Sequence, residues 1–177
     1  MDKIVTKNII EPVLIKTERL AITEIKPCDL QDYYNLYTDK ELNALWGYDY
    51  TQDLGQNPTE QDFFDLQNEL KTSENEFAFA VRLNEKMIGE LVLYNPTTDG
   101  KVEIGFRFFK EFHGKGYAVE SAKGLIDYAL TTLKASGVKG RCFKQNADSK
   151  ALFLRLGFSV IEENDTHYFF ELIKNPT

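Results

Sequence analysis

Between Val102 and Leu133 an alternating apolar stretch runs through a turn with two glycines straight into a long amphipathic pattern. This unit constrains the fold more than any other part of the chain. Val102 to Phe109 reads as a strand. Ala118, Ala122, Leu125, Ile126, Ala129, Leu130 and Leu133 then recur at i, i+4, i+7, i+8, i+11, i+12 and i+15, the spacing of one helix face. Gly137 is expected to end that helix. A strand entering a helix through His113-Gly114-Lys115-Gly116-Tyr117-Ala118 leaves backbone N–H groups free at the positive end of the helix dipole. Such an end favours an anion, typically a phosphate. The loop is not a Walker loop, because Gly-Lys-Ser/Thr is missing. Nor is it a dinucleotide fingerprint, because the third glycine is absent. Taken alone, it also fits a tight strand-to-helix connection.

The flanking segments supply the rest of an α/β (α+β) domain over residues 1–177. Residues 1–16 lack a clear period and read as a loose N-terminal arm. Arg19 to Ile25 reads as a strand. Pro27-Cys28-Asp29 reads as a helix start with Asp29 as N-cap, followed by Leu30, Tyr33, Tyr34 and Tyr37 at helical spacing. Leu42, Leu45 and Trp46 continue that face or open a second short helix. Gly47 to Gly55 reads as a loop. Asn57-Pro58-Thr59-Glu60 reads as a further helix start with Asn57 as cap. Glu76 to Leu83 and Met87 to Tyr94 form a hairpin about Asn84-Glu85-Lys86, and Asn95 to Gly100 forms another turn. Lys139 to Lys144 is a strand, Ser149 to Leu156 a helix stopped by Gly157, and Phe158 to Ile161 with His167 to Leu172 a closing hairpin.

Composition narrows the function. The longest apolar run is about five residues, Phe77 to Val81, against the roughly 20 of a membrane span. With no signal-like start, the expectation is a cytoplasmic protein. Two cysteines and two histidines without metal-ligand spacing argue against a metal site, and Cys28 and Cys142 are expected as thiols. From Asp29 to Glu76 twelve acidic residues face two basic ones; from Lys101 to Arg155 eleven basic residues face five acidic ones. The first half thus suits a cation and the second an anion, although solvated helix faces would look the same. The acidity speaks against direct nucleic-acid binding.

A second motif follows the glycine loop: Asn146, three residues later Ser149, then Leu156-Gly157-Phe158. Locally it needs only a capped short helix. The two motifs in this order resemble the GNAT superfamily of N-acetyltransferases. Thr17-Glu18-Arg19-Leu20, Glu103-Ile104-Gly105-Phe106 and Gly114-Lys115-Gly116-Tyr117-Ala118 resemble its Rim-type branch, which includes enzymes acetylating ribosomal-protein N-termini. The resemblance spans about Thr17 to Leu172.

The resemblance implies a mostly antiparallel mixed sheet flanked by helices, with two strands splayed where acetyl-CoA binds. Backbone groups of Phe106, Arg107 and Phe108 would pair with the pantetheine arm, and one N–H would polarise the thioester carbonyl. Amides of Gly114, Lys115, Gly116, Tyr117 and Ala118 would hold the pyrophosphate, with Lys115, Lys144 and Lys150 as charge partners. His113 stands where the family usually has Gln or Arg. Asn146, Ser149 and Phe153 complete the cofactor side. Phe153 occupies the place of a proton-donating tyrosine found in many members, leaving Ser149 as the candidate donor to the departing thiolate. Glu103 and Glu90 are candidate bases for the amine, each equally readable as a salt-bridged strand residue. Trp46, Tyr48, Asp49 and Tyr50 form an aromatic and acidic cluster suited to a cationic amine, while Trp46 also fits a core role. The implied activity is acetyl transfer to a protein N-terminus or small amine by direct attack in a ternary complex, by a monomer or homodimer. The competing reading is a catalytically silent acyl-CoA-binding module.

Overall fold

Residues 76–94 form the densest apolar hairpin of the chain and lie buried on both faces, which makes them the centre of a sheet rather than an edge. The computed structural model describes residues 5–9, 12–72, 76–94 and 98–173. Its strands are β1 (Leu14–Lys16), β2 (Leu20–Glu24), β3 (Glu76–Leu83), β4 (Lys86–Tyr94), β5 (Val102–Phe108), β6 (Gly137–Phe143), β7 (Ser159–Glu163) and β8 (His167–Ile173). Between β2 and β3 lie α1 (Leu30–Thr38), α2 (Lys40–Trp46), α3 (Thr51–Leu54) and α4 (Glu60–Thr72). The helix α5 (Tyr117–Thr131) joins β5 to β6, and α6 (Ala147–Arg155) joins β6 to β7.

One eight-stranded sheet runs β1-β2-β3-β4-β5-β6-β8-β7. Among the described residues its one parallel pair is β5 with β6. This is the mostly antiparallel, helix-flanked mixed sheet that the resemblance implies. Side-chain alternation splits the core between its faces. Phe79, Val81, Leu91, Leu93 and Ile104 pack with Ala122, Leu125 and Ile126 of α5. Ala78, Ala80, Met87 and Val92 pack with Tyr33, Leu36, Tyr37 and Phe63 of α1 and α4.

Several local expectations are corrected. Residues 14–16 are not a loose arm: they pair antiparallel with β2, and Val13 beside them is buried. Asp29 stands at the N-cap position of α1, but its side chain makes no cap bond. Its carboxylate takes the fork of Arg82 at 2.8 and 2.5 Å and the Lys26 amide at 2.7 Å, a buried pair that outcompetes the local cap. The α4 cap is Thr59, not Asn57: the Thr59 amide donates to Asp62 at 2.7 Å and the Asp62 amide back to Thr59 Oγ1 at 3.3 Å, a reciprocal box. Residues 51–54 are a helical turn rather than loop. Helix α5 ends at Thr131, with Lys134 taking the left-handed position (φ 60°); Gly137 opens β6, where a Cβ would sit 3.1 Å from the Leu172 carbonyl oxygen. The expected turn at Asn95 lies partly outside the described residues. Cys28 is exposed, Cys142 buried, and both are free thiols.

Candidate functional site

The parallel pair is short. β5 and β6 are in register only at Val102–Val138 and Glu103–Lys139. β5 then stays with β4 as far as Phe108, and β6 stays with β8 as far as Phe143, so the two strands part. The ring of Phe153 fills the floor of the parting. It lies 5.2 Å from Phe106 of β5 and stacks at 4.6 Å on Phe170 of β8. Gly140 of β6 makes room for it, since a Cβ there would stand 2.2 Å from the ring. Phe153 is therefore a wedge, which explains why an apolar ring suits this position.

The parting leaves polar backbone without a sheet partner. The Phe109 amide donates to the Ile88 carbonyl at 3.2 Å, which fixes the antiparallel phase between β4 and β5. Alternation then turns the N–H and C=O of Phe106 and Phe108 toward the gap. The Phe108 carbonyl accepts from His113 Nε2 at 2.8 Å, so His113 braces the end of β5.

Two cavities meet at this gap. One, about 360 Å³, is lined by Arg107, Phe108, His113, Gly114, Gly116 and the first turn of α5. The other, about 430 Å³, is lined among others by Tyr48, Asp53, Glu76, Glu103 and Arg141. Leu45, Trp46, Phe106, Asn146 and Ser149 line both. The first cavity has the chemistry of an anion cradle. Gly114 (φ 71°) and Gly116 (φ 81°) take the left-handed conformation that an L side chain resists. The first α5 amide with a helical partner is that of Glu120, which leaves those of Tyr117, Ala118 and Val119 at the cavity rim. Arg155 adds positive charge, a lining residue that sequence reasoning missed. These groups fit a pyrophosphate on the loop and an amide-bearing arm along Phe106 and Phe108, as in acetyl-CoA.

The predicted cations are placed elsewhere. Lys150 Nζ lies 3.8 Å above the Tyr168 ring, and Lys144 pairs with Glu163 at 3.4 Å. Lys115 is exposed over Phe112. None of the three lines the cradle. Asn146 and Ser149 do lie at the gap: the Ser149 amide donates to Asn146 Oδ1 at 3.0 Å, capping α6. Ser149 and Cys142 line the larger cavity together, and burial raises the Cys142 thiol.

The two candidate glutamates sit in different surroundings. Glu90 is fully buried (0% exposed). Its Oε2 pairs with Arg107 at 2.6 Å, and Tyr37 donates to its Oε1 at 3.4 Å. Arg107 is in turn sandwiched between Tyr37 and Trp46, 4.0 and 4.6 Å from the rings, and donates to Asn43 Oδ1 at 2.6 Å. Asn43 donates to the Tyr37 and Asp39 carbonyls at 2.6 and 2.7 Å. This network joins β4, β5, α1 and α2, and Glu90 lines neither cavity. Glu103 lines the larger one. It accepts from Tyr94 and lies 3.2 Å from Arg141 Nε. Burial, then the Glu103 charge, pushes the Tyr94 phenol far up, so it remains a donor.

Trp46 packs against β5 because Gly105 has no side chain: a Cβ would meet its Cη2 at 2.6 Å. Tyr48 donates to Asp53 in the larger cavity. Asp49 is outside it, exposed, accepting from the Thr51 amide at 3.0 Å and hydroxyl at 2.7 Å; these local turn bonds claim it. Tyr50 packs on Phe63 at 5.3 Å as part of the core. The negative charge of the cavity comes instead from Asp53, Glu76 and Glu103. Burial and then repulsion from Glu90 raise the Glu76 carboxyl, with Arg107 opposing. Glu76 and Asp53 carried no local signal, since each stands in an ordinary polar setting in the sequence.

Comparison with known proteins agrees with this geometry. Residues 19–159 match the family model for the acetyltransferase (GNAT) domain. The chain is similar to the uncharacterized N-acetyltransferase YjdG of Bacillus subtilis, 39% identical over 76 residues, covering 43% of this chain and 45% of that protein. It is 26% identical to the uncharacterized N-acetyltransferase p20 of Bacillus licheniformis over 80% of both chains. Its fold is like that of spermidine N-acetyltransferase from Vibrio cholerae, solved with CoA and spermine (TM-score 0.76, 17% identity, 88% of this chain and 95% of that one). It is also like RimJ of Mycobacterium smegmatis, solved with CoA-disulfide (TM-score 0.75, 14% identity, 92% and 88%). With its strand parting, its glycine cradle and a model match over most of its length, this chain belongs to the GNAT acetyltransferase family.

Proposed function

We propose that the protein transfers the acetyl group of acetyl-CoA to a primary amine, with the 360 Å³ cavity as the cofactor site and the 430 Å³ cavity as the acceptor site. The observation that carries this reading is that the two cavities meet at Ser149 of α6 and at Phe106, on the edge of β5 that has lost its partner strand. Bound acetyl-CoA supplies an activated thioester. The Phe106 N–H, turned into the gap, is the donor placed to polarise a carbonyl there. The Gly114–Ala118 backbone holds the pyrophosphate, helped by Arg155.

On the acceptor side Asp53, Glu76 and Glu103, with the faces of Trp46 and Tyr48, hold a cationic amine. A lysine-type amine has a pKa of about 10.4 and an α-amine about 7.7–8.0, so either must lose a proton before it attacks. Glu103 is the base in this reading, because it lines the acceptor cavity while Arg107 engages Glu90. Ser149, at the junction, relays a proton: its hydroxyl gives one to the departing thiolate and regains the one that the newly acylated nitrogen loses. The acceptor is a protein N-terminus, as in the Rim-type branch, or a small cationic amine, and the reaction belongs in the cytoplasm. Among the described residues no helix is long and apolar enough to cross a membrane. The test is thiol release from acetyl-CoA in the presence of N-terminal peptides and of polyamines. Amine-dependent release supports transfer; an intact thioester with every amine points to a silent binding module.

A further inference from the structure

The helix that offers its positive end to a phosphate carries an acidic residue in its own first turn. Glu120 would repel a pyrophosphate at that end. The turn between β1 and β2 answers it. Glu120 Oε1 accepts from the Thr17 hydroxyl at 2.6 Å and the Arg19 amide at 2.7 Å, and Oε2 accepts from Arg19 Nε at 2.7 Å. Thr17 is itself locked by the Leu20 amide, which donates to its Oγ1 at 3.1 Å. The guanidinium reaches on over the Tyr117 ring at 4.6 Å, and Nη1 donates to the Lys115 carbonyl at 3.1 Å. A trans peptide holds its C=O and N–H on opposite sides. With the Lys115 carbonyl drawn toward Arg19, the Gly116 N–H is turned the other way, to the cofactor cavity that Gly116 lines. Arg19 Nη2 lies 3.4 Å from where a Gly116 Cβ would be. Arg19 itself does not line that cavity.

We propose that Arg19, oriented by Glu120 and Thr17, is a positioning residue for the pyrophosphate of acetyl-CoA. It cancels the Glu120 charge at the helix start and sets the peptide between residues 115 and 116 with its N–H toward the ligand. This inference rests on the acetyl-CoA reading above. It also gives the Thr17-Glu18-Arg19-Leu20 segment a task, although that segment is about a hundred residues from the loop in sequence. The two arms of the account are separable, because only the nucleotide end of the cofactor meets this loop.

The test compares acetyl-CoA with S-acetylpantetheine, which keeps the thioester and arm but lacks the pyrophosphate. Dissociation constants are measured by calorimetry, or by NMR titration for the weaker ligand, on wild type and on Arg19→Met, with a melting curve for each. Arg19→Met should weaken acetyl-CoA roughly tenfold or more, the scale of losing hydrogen bonds to a charged group. S-acetylpantetheine should change by less than about twofold. Equal weakening of both ligands, or of neither, overturns the inference. The double variant Arg19→Met/Glu120→Gln should regain part of the lost acetyl-CoA affinity, since the uncompensated carboxylate is gone. No recovery overturns the charge-cancelling role. If Arg19→Met does not fold, Arg19→Lys carries the same comparison, because it keeps the charge and loses the fork. A wild type that binds neither ligand contradicts the acetyltransferase reading itself; a wild type that binds both, with a ratio insensitive to Arg19, overturns this inference alone.

Discussion

The two cavities that meet at the parting of β5 and β6 are built in opposite ways. The proposed cofactor cradle is largely backbone: two glycines at positive φ, the first turn of one helix and the open edge of one strand. The proposed acceptor cavity is largely side chain, with Trp46 from α2, Asp53 from α3, Glu76 from β3, Glu103 from β5 and Arg141 from β6. A backbone cradle recognises a group common to every reaction of the family. A side-chain cavity can be rebuilt residue by residue without disturbing the sheet, and the proposed function puts acceptor choice there.

The sharpest way to break this division is at Glu103. Glu103→Gln keeps an acceptor for the Tyr94 hydroxyl, so the fold should stand while kcat falls by about 10²–10⁴-fold, the usual worth of a general base. A loss below tenfold, read in the thiol-release assay, would make Glu103 merely the partner of Arg141. Glu90 should behave in the contrary manner. Glu90→Ala strands the buried Arg107 and should cost about 3–5 kcal/mol in urea unfolding. An unaltered unfolding midpoint would contradict the role given to the Arg107 network.

The cradle is sharpened by its two glycines. Gly116→Ala places a Cβ 3.4 Å from Arg19 Nη2 at φ 81°, whereas a Cβ on Gly114 meets nothing within 4 Å. Both substitutions carry left-handed strain of about 1–2 kcal/mol. Gly116→Ala should also disturb the Arg19 contact, so acetyl-CoA affinity should fall further for it than for Gly114→Ala. Equal losses, measured by calorimetry, would reduce the loop to strain alone. Ser149→Ala should slow turnover by less than about tenfold, because a thiolate with a parent pKa near 8.5 leaves fairly well unaided. An unchanged kcat would remove Ser149 from the reaction.

The smallest effect concerns acid. Burial alone would raise the Glu120 carboxyl, but the Thr17 hydroxyl and the Arg19 amide and guanidinium outweigh it and hold it below the usual range. Its folded value is thus depressed, and its contribution to stability is fully present above about pH 4.3. As pH falls through the folded value, the gap between wild type and Glu120→Gln in unfolding free energy should close. A gap that widens in acid would contradict that sign.

The same contrast explains which parts of the molecule are legible in its sequence. Gly114 and Gly116 were legible because a positive-φ strand-to-helix turn demands that residue type at that place. The α5 face and the β3–β4 hairpin were legible because burial imposes a period. The acceptor cavity was not, because its charged lining gathers from residues far apart that look like ordinary surface positions. Asp29 and Asp49 show the difficulty from both sides: the first reads as a helix cap and the second as part of an amine-binding cluster, yet Arg82 takes the first while bonds from Thr51 hold the second out of the cavity. β1 is not legible because it has three residues and its exposed position Leu14 is as apolar as Ile15 beside it, so burial alternates without a polar–apolar period in the sequence. The cations Lys144 and Lys150 were misplaced because net charge says nothing about which way a long side chain turns.

The measurement that meets the central claim most directly is acetyl-CoA binding by thermal shift, with adenosine diphosphate as control. At 100 times Kd a ligand adds about 2.7 kcal/mol. For a chain of this size each kcal/mol moves the midpoint by about 2–4 °C. The two-cavity account predicts a rise of roughly 5–10 °C with acetyl-CoA, well beyond that with the diphosphate. No shift at millimolar acetyl-CoA would mean that the glycine loop is only a turn, and the assignment of the paired cavities would fall with it.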